Sequence, residues 1–171
     1  GRECKVITGI DDHSRFVVCA KVVPRATAGP VCAALLQALR RHGVPEQVLT
    51  DNGKVFTARF GLGPGPVMFD KVCNDNGIKH LLTAPYSPTT TGKVERLHKT
   101  IRAEFLTVHD RGHTTVEQMQ TALDAWVVQY NTDRPHQSCG GRPPVERFTL
   151  AERSIIAVDE VAVPAPRRPV T

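Results

Sequence analysis

The 171-residue sequence predicts an α/β or α+β domain whose sheet is mixed, with strands of both directions. Short runs rich in β-branched residues alternate along the chain with longer runs in which apolar residues recur at helical spacing. A hydrophobic content of 40% is enough to bury one sizeable core. Apolar runs stay well short of the roughly 18–20 residues that a membrane helix needs. We therefore expect a single domain over residues 1–148, followed by a proline-containing linker or tail over residues 149–171.

The first elements are predicted to be a β-hairpin and a helix. Residues 5–10 and 16–23 are rich in β-branched and aromatic types, and the turn-forming residues 11–15 lie between them. Residues 28–41 place apolar side chains at helical spacing and end in two arginines. A glycine and a proline follow shortly afterwards, which is typical of a helix end.

The middle of the chain is predicted to contain two short strands separated by a loop and a helix. Residues 46–50 form the first strand candidate, which runs directly into Asp51. The stretch 60–66 is dense in glycine and proline, so it is expected to be a loop. A helix over residues 67–76 ends at a glycine, and residues 78–83 form the next strand.

Two amphipathic helices are predicted in the C-terminal half. Residues 89–92 are expected to form a polar loop that leads into a helix over residues 93–108. The apolar stripe of this helix consists of Val94, Leu97, Ile101, Phe105 and Val108. A second helix is expected to begin at Thr114, whose spacing to Glu117 matches a capping box. The face that it is expected to bury consists of Met119, Leu123, Trp126, Val127 and Tyr130.

Charge and cysteine content narrow the class of protein. The formal net charge is +5 and the sequence pI is near 9.1, which favours a polyanionic partner such as nucleic acid. The five cysteines are odd in number and show no Cys-x-x-Cys spacing, so neither a zinc ribbon nor a disulfide scaffold fits. Isolated, mostly buried thiols fit a reducing compartment, and we expect a cytoplasmic protein.

Asp51 is the first candidate for a functional carboxylate. It directly follows a predicted strand, and the carboxyl ends of strands are where α/β sheets usually place ligand-binding groups. The following Asn52 and Gly53 allow the backbone to turn sharply with the carboxylate facing outward. These residues are also typical of an ordinary turn without a ligand, so position alone leaves both interpretations open.

Glu95 is the second candidate. It lies in the first turn of the predicted helix and is followed by Lys99 and Arg102 one and two turns later, with His98 alongside. Acidic residues are common in a first turn because they suit the helix dipole, and a Glu–Lys pair at this spacing is a common surface stabiliser. The Glu-x-x-His spacing also occurs in di-iron bundles, which need a second such motif that this sequence lacks.

Two such carboxylates have a definite chemistry if they act together. Two or three carboxylates can hold two Mg²⁺ ions about 4 Å apart, one activating a water or a 3′-hydroxyl and the other stabilising the leaving oxygen of an in-line displacement. Mg²⁺ retains several waters and takes few protein carboxylates, which suits a sparse site. The bases that follow Glu95 on the helix would then meet DNA phosphates.

Four segments in order resemble one family. Residues 48–57 (VLTDNGKVFT) are similar to the second-aspartate motif of retroviral integrases and bacterial insertion-sequence transposases. Residues 85–96 (PYSPTTTGKVER) resemble the loop and helix start that carry the glutamate of that family. Residues 10–15 (IDDHSR) resemble a hairpin turn of its bacterial members, and residues 130–138 (YNTDRPHQS) resemble a segment after their core. The sequence thus resembles the DDE transposase and retroviral integrase superfamily over most of residues 5–148.

The resemblance implies a ribonuclease-H-like fold and an enzyme that cleaves DNA ends and joins them, with two Mg²⁺ or Mn²⁺ ions as cofactor. It carries Asp51 and Glu95 over as the catalytic metal ligands. It also implies double-stranded DNA as the partner, a homo-oligomeric assembly and a place at the bacterial nucleoid. The residues expected to contact DNA are Asn52, Lys93, Lys99 and Arg102.

One member of the three-carboxylate site of this family has no match in the sequence. The first catalytic aspartate of the family lies on a strand just before the hairpin, so we expect both that strand and that residue upstream of Gly1. Asp11 and Asp12 are expected to be turn residues rather than metal ligands. We expect the 171 residues expressed alone to be catalytically inactive and poorly folded.

Two alternatives remain open from the sequence. A ribonuclease-H-like nuclease would cut nucleic acid without joining it, and residues 130–138 argue against this class because they resemble the transposases. A non-catalytic DNA-binding fragment of a decayed element would lack the first aspartate altogether. A strand-transfer assay distinguishes the nuclease from a transposase or integrase. The sequence upstream of Gly1 distinguishes the decayed fragment from an intact enzyme.

Overall fold

A computed structural model describes residues 4–57, 65–84, 88–109 and 115–155, so most of the predicted loop at 60–66 lies outside the described residues. Strands and helices alternate as predicted. Within these ranges no helix is long and apolar enough to span a membrane. The elements are β1 (Lys5–Ile10), β2 (Val17–Val23), α1 (Ala28–His42), β3 (Gln47–Thr50), α2 (Met68–Asp75), β4 (Lys79–Leu82), α3 (Pro88–Thr100), a π-helical segment (Ile101–Leu106), α4 (Thr107–His109), α5 (Val116–Thr132) and two 3₁₀ turns (Gln137–Cys139 and Pro144–Glu146).

The four strands form two separate two-stranded sheets in the described part of the chain. β1 and β2 are the predicted antiparallel hairpin, in which Lys5 lies opposite Val23 and a bulge falls between Gly9 and Ile10. β3 and β4 are parallel, so the carboxyl ends of both strands lie at the same edge. Both strand directions are therefore present, as predicted, although the described strands do not join into one sheet.

The hairpin turn is built around the side chain of Asp11. Its Oδ2 accepts hydrogen bonds from the backbone N–H and the hydroxyl of Ser14, at 2.8 and 2.6 Å. The backbone carbonyl of Asp11 accepts from the N–H of Arg15, which has a positive φ of 65°. Asp11 is therefore a turn residue, as predicted, because its carboxylate closes the turn.

One hydrophobic cluster joins α1 and α2 to the parallel strands. α1 ends at Gly43, whose φ of 82° lies in the left-handed region and whose N–H donates to the Leu39 carbonyl. Burial raises the pKa of Cys32 to about 11 and that of Cys73 to about 12, so these thiols stay protonated, as expected for buried cysteines. The buried members of the cluster are Val31, Cys32, Leu36, Leu39, Val44, Phe69, Val72, Cys73 and Ile78.

A second cluster joins the hairpin to α3, the π-helical segment and α5. From the hairpin it receives Val17 and Val22, both 2% exposed. The apolar face predicted for α5 is confirmed, because all of its members belong to this cluster or pack against it. These members are Met119, Leu123, Trp126, Val127 and Tyr130.

The apolar stripe predicted for the long helix is confirmed only in part. Leu97, Ile101 and Phe105 are buried, with exposed fractions of 1%, 3% and 0%. Val108 is 72% exposed, so its predicted burial is wrong. The cause is the π-helical segment, because its wider turn shifts the helical phase by about one residue. Leu106 packs against the second cluster instead.

Two helix starts differ from those predicted. α3 begins at Pro88, so the predicted polar loop over residues 89–92 is wrong. Proline suits a first helical position because its φ is already helical and an N–H there would have no helical partner. α5 is capped by Thr115 and Gln118, each of whose side chains accepts from the backbone N–H of the other. This capping box replaces the one predicted at Thr114, which lies outside the described residues.

The outer edge of β2 is bonded by two amide side chains of α5. Asn131, which is 5% exposed, accepts from the Val17 N–H at 2.8 Å and donates to the Val17 carbonyl at 3.1 Å. Gln120 accepts from the Val22 N–H at 2.8 Å and donates to the Ala20 carbonyl at 3.0 Å. These bonds satisfy backbone groups that an edge strand leaves unpaired, and they fix α5 on the hairpin.

Residues 151–155, which fall within the predicted tail, run beside the end of α1. The Ala151 N–H donates to the His42 carbonyl at 2.9 Å. A Cβ at Gly43 would lie 2.2 Å from the Ala151 carbonyl oxygen, so this contact requires glycine. The remainder of the predicted tail, residues 156–171, lies outside the described residues.

Replacing Leu123 with alanine is expected to lower the free energy of unfolding by about 2–5 kcal/mol, because it empties a fully buried position in the second cluster. Leu150→Ala is the matched control. Leu150 is 61% exposed, so this change is expected to alter the free energy of unfolding by less than about 0.5 kcal/mol. Chemical denaturation measures both changes, and equal effects at the two positions would contradict the core described above.

Acidification is expected to destabilise the fold through His42. Burial, together with the charge of Arg41, lowers its pKa below the usual value, and its ring lies 5.6 Å from that of Phe16. The unfolded chain therefore binds a proton near pH 6.5 that the folded chain resists. The contribution of His42 to stability is complete above that pH and falls as the pH decreases below it. The free energy of unfolding, measured down to about pH 5, should decline less steeply in His42→Gln than in the wild type. An identical decline in the two proteins would exclude His42 as a source of the acid sensitivity.

Candidate functional site

Asp51 lies immediately after β3, at the edge where the carboxyl ends of both parallel strands meet. Its side chain is exposed, and its Oδ1 accepts a hydrogen bond from the Gly53 N–H at 2.8 Å. A Cβ at position 53 would also lie 2.8 Å from this oxygen, so any side chain there would displace the carboxylate. The turn that the sequence predicts thus sets the direction of the Asp51 side chain.

The turn after β3 is also fixed from β4. The side-chain amide of Asn52 donates to the Thr83 carbonyl at 2.8 Å, and the Thr83 N–H donates to the Thr50 carbonyl at 2.9 Å. Asn52, which the sequence predicts as a DNA contact, therefore has one amide hydrogen bonded within the protein. Asp51 stands between two residues whose positions are both set by β4.

Glu95 lies on α3 with its side chain exposed. Because α3 begins at Pro88, Glu95 is about two turns from the helix start rather than in the first turn as predicted. The favourable effect of the helix dipole on a carboxylate is confined to the first turn, so it does not account for an acid here. Burial and the charge of Arg102 lower the pKa of the neighbouring His98, and the charge of Glu95 opposes them.

Two side-chain contacts tie α3 to the hairpin. Nε2 of His98 and the hydroxyl of Thr8 are 2.6 Å apart. Lys93, which the sequence predicts as a DNA contact, forms an ion pair with Asp12 of the hairpin turn. Asp12 is 84% exposed, so solvent screens this pair. Asp12 is a turn residue, as predicted, and its contact with Lys93 is not predicted by the sequence.

Lys99 and Arg102 are exposed, and they follow Glu95 along the same helical stretch. Arg102 is the second residue of the π-helical segment, and its charge lowers the pKa of His98 whereas that of Glu95 raises it. The structure therefore presents an acid and two bases to solvent along α3 and the π-helical segment that continues it.

Within the described ranges, no three histidine, cysteine, aspartate or glutamate side chains are grouped so that they could hold a metal ion. Asp51 and Glu95 nevertheless supply carboxylate oxygens, which are the donors that Mg²⁺ prefers, and both side chains are exposed. Because Mg²⁺ keeps several waters, a pair of carboxylates suits it as part of a ligand set. The two residues fit the ion in donor chemistry, and they lie on different elements.

A buried polar chain beside Asp51 is absent from the sequence-based predictions. His80 of β4 has 8% of its side chain exposed, with Nδ1 2.5 Å from Oδ1 of Asp70 and Nε2 2.7 Å from the hydroxyl of Thr50. Spacing around His80 shows no ligand pattern, because its two partners belong to other elements. Only the fold brings these three residues together.

Arg134 lies just after α5, within the segment 130–138 that resembles the bacterial transposases. Its guanidinium pairs with Glu104 of the π-helical segment and lies 5.5 Å from the centre of the Tyr130 ring. These three residues and Trp126 help to line a cavity of about 240 Å³. Arg134 thus packs the end of α5 against the π-helical segment.

Known proteins share this sequence pattern. A family model described as an integrase core domain matches residues 1–88, and a second model of the same description matches residues 76–144. The uncharacterized 39.2 kDa protein of insertion element IS476 from Xanthomonas euvesicatoria is 33% identical over 85% of this chain. The chain spans 39% of the length of that relative.

Solved structures share the fold. The catalytic core domain of BIV integrase has a TM-score of 0.64 at 29% identity, with 85% of each chain covered. The HTLV-2 integrase catalytic core domain in complex with magnesium has a TM-score of 0.61 at 20% identity, with 85% of this chain and 93% of that chain covered. The chain therefore has a ribonuclease-H-like α/β fold and belongs to the integrase core domain family, within the superfamily of DDE transposases and retroviral integrases.

Proposed function

We propose that this chain is the catalytic core of a metal-dependent transposase or integrase that cleaves DNA ends and joins them to a target. Membership of the integrase core domain family indicates a polynucleotidyl transferase at the level of reaction class. The observation that carries the proposal is the placement of Asp51. Its carboxylate projects from a glycine-dependent turn at the carboxyl ends of two parallel strands.

Asp51 and Glu95 are the proposed metal ligands. Both offer exposed carboxylate oxygens, and the magnesium complex of the HTLV-2 integrase core supports Mg²⁺, or the similar Mn²⁺, as the ion. Two such ions would activate the attacking oxygen and stabilise the leaving oxygen of an in-line displacement. The chain itself holds the carboxylates in place, since the Gly53 N–H orients Asp51 and the contact between Thr8 and His98 holds α3. A third carboxylate would complete the ligand set that the family resemblance implies.

The proposed DNA-binding surface lies on α3 and on the π-helical segment that follows it. Lys99 and Arg102 are exposed there and would neutralise phosphates near the reacting bond. Lys93 joins them, because its ion pair with Asp12 is at the surface and a phosphate can replace the carboxylate. Asn52 can add a contact through the amide hydrogen that is not bonded to β4. The net charge of +5 favours this polyanionic partner.

The proposed assembly is a homo-oligomer on double-stranded DNA. Joining two DNA ends at one target calls for at least two active sites held together, and the HTLV-2 core domain was solved in a trimeric form. A measurement of the mass of the protein in solution, with and without paired DNA ends, tests this assembly.

Asp51→Asn and Glu95→Gln are each expected to reduce strand transfer by more than about a hundredfold in the full-length protein. That loss exceeds the roughly 10- to 100-fold loss typical of residues that only support a metal ligand. The assay supplies Mg²⁺ and paired DNA ends and follows both cleavage and joining. Asp75→Asn is the control, because Asp75 is exposed on α2 and pairs with Lys71 in a surface contact of 3.0 Å. Wild-type activity in Asp51→Asn would refute the proposal, and cleavage without joining by the wild type would identify a nuclease.

The double variant Lys99→Ala with Arg102→Ala is expected to weaken DNA binding equally for all sequences, because phosphates carry no sequence information. The slope of log affinity against log salt should become shallower by about two, corresponding to two lost phosphate contacts. Lys71→Ala, at an exposed site on α2, should leave this slope unchanged. A slope equal to that of the wild type in the double variant would place the DNA elsewhere.

A further inference from the structure

A hydrogen-bonded chain of three side chains runs from α2 through β4 to the residue before Asp51. Oδ1 of Asp70 is 2.5 Å from Nδ1 of His80, and Nε2 of His80 is 2.7 Å from the hydroxyl oxygen of Thr50. The same hydroxyl oxygen lies 3.1 Å from the backbone carbonyl oxygen of Asp51. The chain therefore connects α2 to the backbone of the proposed metal ligand.

The chemistry of the three groups sets the direction of these bonds. An ionised carboxylate only accepts, so Nδ1 of His80 carries a hydrogen and donates it to Asp70. A carbonyl oxygen can only accept, so the Thr50 hydroxyl donates its single hydrogen to the Asp51 carbonyl at 3.1 Å. Nε2 of His80 meets the same hydroxyl at 2.7 Å. His80 thus contacts the hydroxyl that bonds to the backbone of Asp51.

The imidazole is held in this position by packing. Its side chain is 8% exposed, and its ring centre lies 4.9 Å from that of Phe69 and 6.5 Å from that of Phe56. Phe56 belongs to the turn that follows Asp51, where its N–H donates to the Gly53 carbonyl at 2.9 Å. His80 therefore contacts the chain on both sides of Asp51, through a hydrogen bond before it and through an aromatic ring after it.

We propose that Asp70, His80 and Thr50 form a positioning chain that fixes the direction of the Asp51 carboxylate for metal binding. The inference rests on the proposed function, in which Asp51 is a metal ligand. The contact of Nε2 of His80 with the Thr50 hydroxyl joins the imidazole to the residue before Asp51. That contact exists here in addition to the backbone bonds that already pair β3 with β4. Hydrogen-bonding side chains around metal ligands orient those ligands in many proteins, and their loss weakens metal binding.

The test uses the full-length protein and measures its affinity for Mn²⁺ by titration calorimetry, without DNA. Thr50→Val keeps the shape of the side chain and removes the hydroxyl. It is expected to weaken Mn²⁺ binding about 10- to 100-fold, the range typical for lost partners of metal ligands. Thr50→Ser keeps the hydroxyl and is expected to restore binding to near the wild-type value. The Mg²⁺ concentration needed for half-maximal strand transfer should rise in Thr50→Val by the same factor.

Asp70→Asn tests the far end of the chain. An amide can donate to Nδ1 as well as accept from it, so the variant no longer selects one imidazole tautomer and Mn²⁺ binding is expected to weaken. Asp75→Asn is the matched control, since it removes a charge from the same helix at a surface pair with Lys71, and it should bind Mn²⁺ as the wild type does. The unfolding temperature and the metal-free affinity for DNA are measured on every variant. Neither quantity should change in proportion to the loss of Mn²⁺ affinity.

Three outcomes would overturn the inference. The first is wild-type Mn²⁺ affinity in Thr50→Val and Asp70→Asn, both shown to be folded. In that case a loss of affinity in Asp51→Asn would still support the proposed function. Equal losses in Asp70→Asn and Asp75→Asn would overturn the inference as well, because the effect would then be one of charge on α2. Unchanged affinity in Asp51→Asn would remove the proposed function and the positioning chain together. If Thr50→Val does not fold, Asp70→Asn decides.

Discussion

The bonds between α5 and the edge of β2 hold much of the remaining structure in place. Asn131 bonds both backbone groups of Val17 while it is itself almost fully buried. Loss of its amide would leave a buried N–H and a buried carbonyl without partners, at about 1–3 kcal/mol for each group. Because the hairpin is thereby fixed on α5, its first strand and its turn can contact α3 through Thr8 and Asp12. The position of Glu95 follows from this series of contacts.

Asp51 depends on a different set of contacts. The parallel pairing of β3 with β4 brings two strand ends together, and Asn52 and His80 then bond across them. The two candidate carboxylates thus belong to regions with separate hydrophobic clusters. Ile7 of β1 packs against the cluster of α1 and α2, and so links the hairpin to it. A site shared by both carboxylates would take its geometry from contacts between the clusters rather than from either one alone.

The sequence predicted the features that depend on local chemistry and missed those that depend on distant partners. The Asp11 turn, the exposed Asp51 after a strand and the buried face of α5 follow from turn residues and periodicity. The exposure of Val108 accompanies the π-helical segment, which the helical spacing of the apolar residues does not predict. His80 finds its partners 10 and 30 residues away along the chain, so no spacing rule connects them.

A substitution at Gly53 would affect the direction of the Asp51 carboxylate more than the stability of the fold. A side chain at this position would meet the movable end of Asp51 rather than backbone, so the molecule could accommodate it by swinging the acid aside. Stability would then change little while the direction of the carboxylate was lost. In a homo-oligomer of the kind proposed, such a chain would still assemble with intact copies. Under the proposed function, a single codon change at Gly53 would therefore give subunits that fold and assemble but inactivate the oligomers they join.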